Sequence, residues 1–169
     1  VDKNKPEKQQ RNQTGSPILE EGDILLNTTL AETSDWQQVD LPVVSTLRHF
    51  CIETLSSYTE DNQACISEVD LLDDKGQPID KTKWEVVYVS SEQADKNLGI
   101  AENLFDGDIS SFWHTDPATE PGQPHRIIVD IKEIYKISAL RFKVRKGAFL
   151  SGKVKEINVY GRPQFFLFH

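Results

Sequence analysis

The segment Asp106-Gly107-Asp108 carries a carboxylate on either side of a glycine, and the hydroxyl of Ser111 follows close behind. Hard cations such as Ca²⁺ bind about six to eight oxygen atoms drawn from carboxylates, hydroxyls and carbonyls. Alternate acids around a glycine converge on one ion when the glycine allows a sharp turn. The same residue types also favour an ordinary turn without an ion. The residues alone therefore predict a loop and leave both interpretations open, a cation site and a plain turn.

Short catalytic motifs do not occur in the sequence: Gly-x-Ser-x-Gly, the Walker loop and His-Glu-x-x-His are all absent. Acidic residues number 27, so composition does not exclude a pair of glycosidase carboxylates. The best acid cluster, however, is the one already considered as a cation site. We therefore expect a binding module and not an enzyme.

The chain of 169 residues has a net charge of −8. An acidic surface repels nucleic acids and anionic lipids at long range. We therefore expect no nucleic-acid partner and no simple electrostatic docking to a membrane, and the charge balance favours a neutral ligand or a cation. A chain of this length forms one domain, and no apolar run approaches the roughly 20 residues of a membrane span.

The two cysteines, Cys51 and Cys65, are too few for a disulfide framework. Side chains alternate between the two faces of a strand. If Phe50 and Ile52 point inward, Cys51 points outward, whereas Cys65 points inward with Val69. This parity favours two free thiols over a bridge across a hairpin, and it leaves the redox compartment open.

Strand patterns dominate the chain after a polar beginning. Residues 1–17 are rich in Lys, Gln, Asn and Pro, which predicts a disordered linker, or else a frayed terminus, before a domain at 18–169. Asp74-Lys75-Gly76 predicts a turn, and residues 101–105 suggest one helical turn. Many short strands at this spacing predict an all-β sandwich or barrel. β-Branched and aromatic residues, or alternation at period two, place them at 47–55, 65–72, 84–89, 126–131, 137–144 and 154–160.

Four segments resemble, in family order, the discoidin domains, also called coagulation factor 5/8 type C domains. Residues 101–115, which include Asp-Gly-Asp and Phe-Trp-His-Thr, resemble the segment A-x-N-A-x-D-G-D-x-x-T-x-W-x-T. Residues 124–131, 137–145 and 152–160 resemble P-H-x-I-x-V-D-L, I-S-G-x-R-Y-x-x-R and G-x-I-K-D-Y-E-F-Y. The resemblance covers residues 84–161 and implies a mainly antiparallel jelly-roll β-sandwich of the galactose-binding-domain-like kind. The sugar-binding branch of this family is the family-32 carbohydrate-binding modules.

The first half of the chain resembles strands that close the domain in most of the family. Residues 47–55 are similar to A-R-Y-V-R-I-E, and residues 66–71 are similar to A-E-I-E-V-Y. Here they precede the Asp-Gly-Asp segment, which implies a circularly permuted strand order. On this topology we expect the strand at 47–55 to pair antiparallel with the strand at 64–72. We also expect Glu68 to lie beside the Asp106 loop.

The resemblance implies a structural calcium ion as the one cofactor. Its protein ligands would be Glu68, Asp106, Asp108 and Ser111, and loop carbonyls near Asn103 would complete the shell. Ser111 replaces the family's usual Thr and keeps the hydroxyl. The ion would neutralise the carboxylates and fix the loop.

The resemblance also implies a ligand-binding set: His114, Arg145, Lys146, Phe149 and Ser151. In the sugar-binding branch a His and an Arg bond sugar hydroxyls, and a loop aromatic stacks on the ring. The Asn that usually follows the Arg is absent and Ser151 stands near its place, which argues against the usual galactose specificity. Other interpretations remain: a rim salt bridge for Arg145, a structural histidine for His114, and a lipid-directed hydrophobic spike at Phe149.

These features predict a non-catalytic carbohydrate-binding module whose loops, at one end of the sandwich, bind neutral glycans of the galactose or N-acetylhexosamine type. The resemblance implies an accessory domain of an exported glycoside hydrolase, such as a chitobiase-like one, with a secreted, periplasmic or cell-surface location. The chain opens on Val1 and contains no Met, which predicts a mature fragment or an excised module. The alternative is an adhesion domain that binds protein or membrane through the same loops. A pocket with an aromatic ring and Arg favours the sugar, whereas exposed loop hydrophobes with basic neighbours favour adhesion.

Overall fold

The computed structural model describes residues 7, 11, 13, 15–59, 61–118, 122–145 and 152–169. Short 3₁₀ turns lie at Glu21–Asp23, Asp95–Asn97 and Ala101–Phe105. No helix among the described residues has the length and apolar character needed to cross a bilayer. The strands along these residues are β1 Pro17–Ile18, β2 Ile24–Thr29, β3 Gln37–Thr54, β4 Cys65–Asp73, β5 Glu85–Val89, β6 Trp113–His114, β7 His125–Val144, β8 Glu156–Arg162 and β9 Leu167–Phe168.

Two long strands, β3 and β7, contribute to both layers of a β-sandwich. Residues 49–54 of β3 pair antiparallel with β8 and with residues 125–130 of β7. Residues 37–47 of β3 pair instead with residues 135–142 of β7. Strands β2, β8 and β5 extend the first layer, and β4 and β6 extend the second. The all-β, antiparallel sandwich predicted from the sequence is confirmed.

Both long strands change layer at irregular corners. The register between β3 and β7 shifts twice between residues 40 and 49. In β7 the corner lies at Lys132, whose φ is 74° and whose backbone N–H donates to Asp130 Oδ1 at 2.7 Å. Bulges of this kind bend a strand and let it pass from one sheet to the other. The two strands predicted at 126–131 and 137–144 are therefore one bent strand, interrupted in the sequence pattern by the polar residues of its corner.

One predicted pairing is wrong: residues 47–54 do not pair with β4. In the sheet order β2-β8-β3-β7-β4-β6, β7 lies between β3 and β4. The loop at 55–64 therefore crosses from one layer to the other and does not close a hairpin. Consecutive strands usually lie side by side, but here the length of β7 lets it pair with both.

The two layers enclose one apolar core. Phe50 and Ile52 of β3 belong to the same fully buried cluster as Phe142 of β7 and Trp113 of β6. The Trp113 indole N–H donates to the carbonyl of Ser91 at 3.0 Å, so its polar atom is satisfied inside the core. Trp113 thereby anchors the segment that follows β5.

Both cysteines are free, as the strand parity favoured, and both are buried. Cys51 lies on the outer face of β3, where it forms a small second cluster with Ile128, Tyr160 and Phe166. Burial raises the pKa of the Cys51 thiol far above its usual range and the pKa of Cys65 to about 12. Neither thiol is therefore a reactive nucleophile in the folded protein.

Most of the segment predicted as a linker, residues 1–17, lies outside the described residues. Arg11 and Gln13 are described, and both contact the domain: Arg11 Nε donates to Glu92 at 2.7 Å, and the Gln13 side chain donates to the carbonyl of Val89. β1 crosses the predicted boundary at 17/18 and pairs with β9. The linker itself stays a prediction.

Candidate functional site

The Asp106 loop, residues 106–111, is held mainly by its own hydrogen bonds. Asp106 Oδ1 accepts from the backbone N–H of Asp108 at 2.9 Å, and Gly107 adopts a left-handed φ of 79°. The Ser111 hydroxyl donates to Asp106 Oδ2 at 2.5 Å and lies 3.0 Å from the Asp108 carbonyl. Asp108 Oδ1 accepts from the backbone N–H and hydroxyl of Ser110 at 2.9 and 2.6 Å. The turn predicted from the residue types is therefore present.

Glu68 of β4 lies directly beside this loop, as the resemblance predicted. Its side chain is 1% exposed, and its carboxylate accepts from the backbone N–H of Gly107 at 3.1 Å. The ammonium group of Lys81 also donates to Glu68, and to Asp70 at 2.6 Å. Burial raises the pKa of Glu68 to about 7, against the opposing effects of Lys81 and the Gly107 N–H.

The four predicted calcium ligands are brought together only in part. The Asp106 carboxylate, the Ser111 hydroxyl and the Asp108 carbonyl converge, and hard cations favour these oxygen types. The Asp108 carboxylate turns instead to Ser110, and Glu68 already has a cationic partner. Among the described residues, no three His, Cys, Asp or Glu side chains form a group able to hold a metal ion. Calcium binding stays a prediction, with the Lys81 ammonium as a competing cation.

Sequence reasoning missed Lys81. It lies 13 positions after Glu68, in the loop between β4 and β5, and no motif connects the two residues. The ammonium group of Lys81 reaches the Glu68 carboxylate because this loop folds back along the edge of β4. The one signal in the sequence was the need of a buried Glu for a counter-charge.

His114 lies beneath the surface at the end of β6. It is 4% exposed, and its Nδ1 contacts the carbonyl of Thr115 at 2.6 Å. Burial lowers the pKa of the imidazole. The ring lies edge-on to Phe112, with centroids 6.3 Å apart. His114 thus supports Phe112 from below, and its predicted contact with a ligand stays a prediction.

Arg145 follows the end of β7 and lies across the ring of Phe112, with the guanidinium carbon 4.2 Å from the ring centroid. A cation held over an aromatic face is stabilised by the ring quadrupole. The planar donor group is therefore held in a fixed orientation at this end of the sandwich. The other predicted ligand residues, Lys146, Phe149 and Ser151, lie outside the described residues.

Two grooves open on either side of Arg145. The first, named the Phe112 groove, has a volume of about 420 Å³ and is lined by Ser67, Ile109, Ser110, Phe112, Lys143, Val144 and Arg145. The second, named the Tyr58 groove, has a volume of about 230 Å³, and its lining includes Glu32, Tyr58, Arg145 and Lys153. His114 lines neither. The larger groove falls within the size range of ligand pockets.

Residues 86–164 match the family model of the F5/8 type C domain. This stretch, slightly less than half of the chain, is therefore similar to F5/8 type C (discoidin) domains. Such domains often bind carbohydrate and are typically non-catalytic. The F5/8 type C match begins within β5, so β3 and β4 precede it in the chain although both pair with β7 inside it.

A sialidase from Micromonospora viridifaciens is similar to part of this chain. The two chains are 33% identical over 84 residues, which cover 48% of this chain and 13% of the sialidase. The chain therefore spans a small part of that relative's length.

Proposed function

We propose that this domain is a non-catalytic carbohydrate-binding module. The observation that carries the proposal is Arg145, held over Phe112 between two grooves at one end of the sandwich. A guanidinium offers paired N–H donors in a rigid plane, which suits the adjacent hydroxyls of a sugar. The neighbouring Phe112 and Ile109 offer apolar surface for the C–H groups of the ring.

The sugar proposed is a ring of the galactose or N-acetylhexosamine type. The grooves are shallow, and sugar hydroxyls lose strong hydration when they bind, so each site contributes little affinity. We expect dissociation constants of about 1 mM for single sugars. A module of this affinity is useful as a tether, because it raises the concentration of substrate near a linked catalytic domain. The similarity to part of a sialidase supports a place beside an exported glycoside hydrolase.

The test is a titration of the purified domain with galactose, N-acetylgalactosamine, N-acetylglucosamine and their oligomers, followed by amide chemical shifts. Arg145→Ala should abolish the shifts and keep the fold, as judged by circular dichroism. Arg141→Ala is the matched control, because Arg141 also lies over an aromatic ring, Trp36, at 4.7 Å but lines neither groove. Shift changes that avoid both grooves, or normal binding by Arg145→Ala, would overturn the assignment.

A further inference from the structure

Several basic side chains of the described residues are paired with a carboxylate. The described ion pairs include Arg11 with Glu92, Arg48 with Asp130, Lys81 with Glu68, Arg126 with Glu53 and Lys132 with Glu85. In a chain with a net charge of −8, such partners are abundant.

The Phe112 groove is lined by basic side chains without such a partner among the described residues. Lys143 and Arg145 both line it, and within the described part of the chain neither forms an ion pair. Arg145 is placed over an aromatic ring, and the Lys143 ammonium donates to the carbonyl of Ser34 at 2.6 Å. The ring and the carbonyl carry no net negative charge, so neither contact neutralises the positive charge.

Lys143 is informative because it is only 7% exposed, whereas the other described lysines and arginines without an ion pair are exposed or half-buried. A lysine buried to this extent is rare unless an opposite charge accompanies it. The carbonyl of Ser34 accepts one N–H of the ammonium, and Glu68, opposite Lys143 in the β4–β7 register, is paired with Lys81 instead. Two basic residues thus line the groove, and no described carboxylate forms an ion pair with either of them, an arrangement that an anion stabilises.

The acidic groups described near the grooves form no ion pair with Lys143 or Arg145. Glu32 lines the Tyr58 groove and not the Phe112 groove. Asp61 Oδ1 accepts from the backbone N–H of Gln63 and the hydroxyl of Thr59, at 3.2 and 3.0 Å. The Asp108 carboxylate is bonded to Ser110 at the rim of the Phe112 groove. No acidic residue belongs to the described lining of that groove.

We propose that the Phe112 groove binds the carboxylate of an acidic sugar, between Lys143 and Arg145. This inference rests on the proposed carbohydrate binding and specifies the class of sugar. The guanidinium takes the two carboxylate oxygens, and the ammonium supplies the second positive charge. The hydroxyls of Ser67 and Ser110 suit ring hydroxyls, and Ile109, 52% exposed, provides apolar surface. The expectation of a neutral glycan came from the negative net charge of the whole chain. The charged residues in the lining of this groove are positive instead.

The test compares sugars that differ only in the carboxylate. Galacturonic acid and galactose are titrated in parallel by calorimetry, with glucuronic acid and glucose as a second pair. N-Acetylneuraminic acid is titrated as well. This comparison shows whether the carboxylate that binds belongs to a hexuronic acid or to a nonulosonic acid. We expect at least one acid to bind about tenfold more tightly than galactose at about 20 mM NaCl, with the preference reduced at about 500 mM because salt screens charges.

Three variants locate the effect. Arg145→Gln and Lys143→Gln should each remove the preference for the acid, and Gln at 143 keeps a donor for the carbonyl of Ser34. Lys75→Gln is the matched control: it makes the same change of charge in the turn after β4, roughly 20 Å along the strand from Ser67. Folding of each variant is checked by its amide spectrum, and the salt dependence of the wild type remains a test if Lys143→Gln does not fold.

The outcomes separate the two proposals. Equal binding of galactose and the acids, without salt dependence, overturns the acidic-sugar inference and leaves carbohydrate binding standing. An acid preference that survives in both Arg145→Gln and Lys143→Gln also overturns it, because the anion then binds elsewhere. If neither the acids nor the neutral sugars and their oligomers bind, both proposals fail.

Discussion

Lys81→Met is the most informative single substitution for the Asp106 loop. It removes the cation beside Glu68, whose side chain is 1% exposed, and leaves an almost fully buried carboxylate without a counter-charge. Removing one partner of a buried ion pair costs about 3–5 kcal/mol of unfolding free energy. Because the Lys81 side chain is 17% exposed, water screens part of the interaction, and we expect a loss near the lower end, about 3 kcal/mol.

The assay is urea unfolding of four proteins: wild type, Lys81→Met, Glu68→Gln and the double variant. With a denaturant slope of about 2 kcal/mol/M, the midpoint of Lys81→Met should fall by about 1.5 M. Glu68→Gln removes the unpaired charge and keeps an acceptor for the Gly107 N–H, so the double variant should regain at least half of the loss. A loss below about 1 kcal/mol, or a double variant no more stable than Lys81→Met, would refute the argument from the buried charge.

Three further predictions concern the cation site, a close backbone contact and the thiols. If the Asp106 loop holds calcium, a chelator should lower the melting temperature of the wild type and calcium should restore it; an unchanged melting temperature contradicts the calcium prediction. Gly99→Ala should destabilise the fold by about 1–3 kcal/mol in urea unfolding, because its new Cβ would lie 2.9 Å from a neighbouring Cβ, whereas Gly22→Ala, with no atom within 4 Å, should be tolerated. Equal stability of the two variants would show that the contact relaxes freely. Cys51 and Cys65 should resist a thiol reagent in the native protein and react once urea unfolds it, and rapid native labelling would contradict their burial.

The sequence predicted best where the information is local. The Asp106 loop is a turn of neighbouring polar groups, and its residue types specify it at short range. Strand β2 was not predicted, because Ile24–Thr29 is short, half polar and nowhere fully buried, so it shows no strong alternation. The pairing of β3 and β4 failed because it depends on how far β7 continues through its corner at Lys132, which periodicity does not encode.

The candidate site shows the same difference between local features, which the sequence predicts, and long-range contacts, which it does not. Arg145 was predicted from the sequence as a ligand residue, but its position over Phe112 was not, because that contact joins the end of β7 to the loop before β6. Lys143 was not singled out from the sequence. Its ammonium group donates to the carbonyl of Ser34, 109 positions earlier in the chain, and the sequence pattern does not encode a contact of that range.

The passage of β3 and β7 through both layers has a mechanical consequence. In a sandwich whose sheets are joined only by loops, one sheet can detach while the other keeps its hydrogen bonds. Here the two sheets share the same pair of continuous backbones, hydrogen-bonded to each other in both layers. Separating the layers therefore requires breaking the ladder at its corners, and neither layer is an independent unit of unfolding. Force applied to either strand is transmitted along its backbone into the opposite layer. Arg145 follows β7 immediately, so the continuous backbone of β7, as well as side-chain packing, connects it to the first layer.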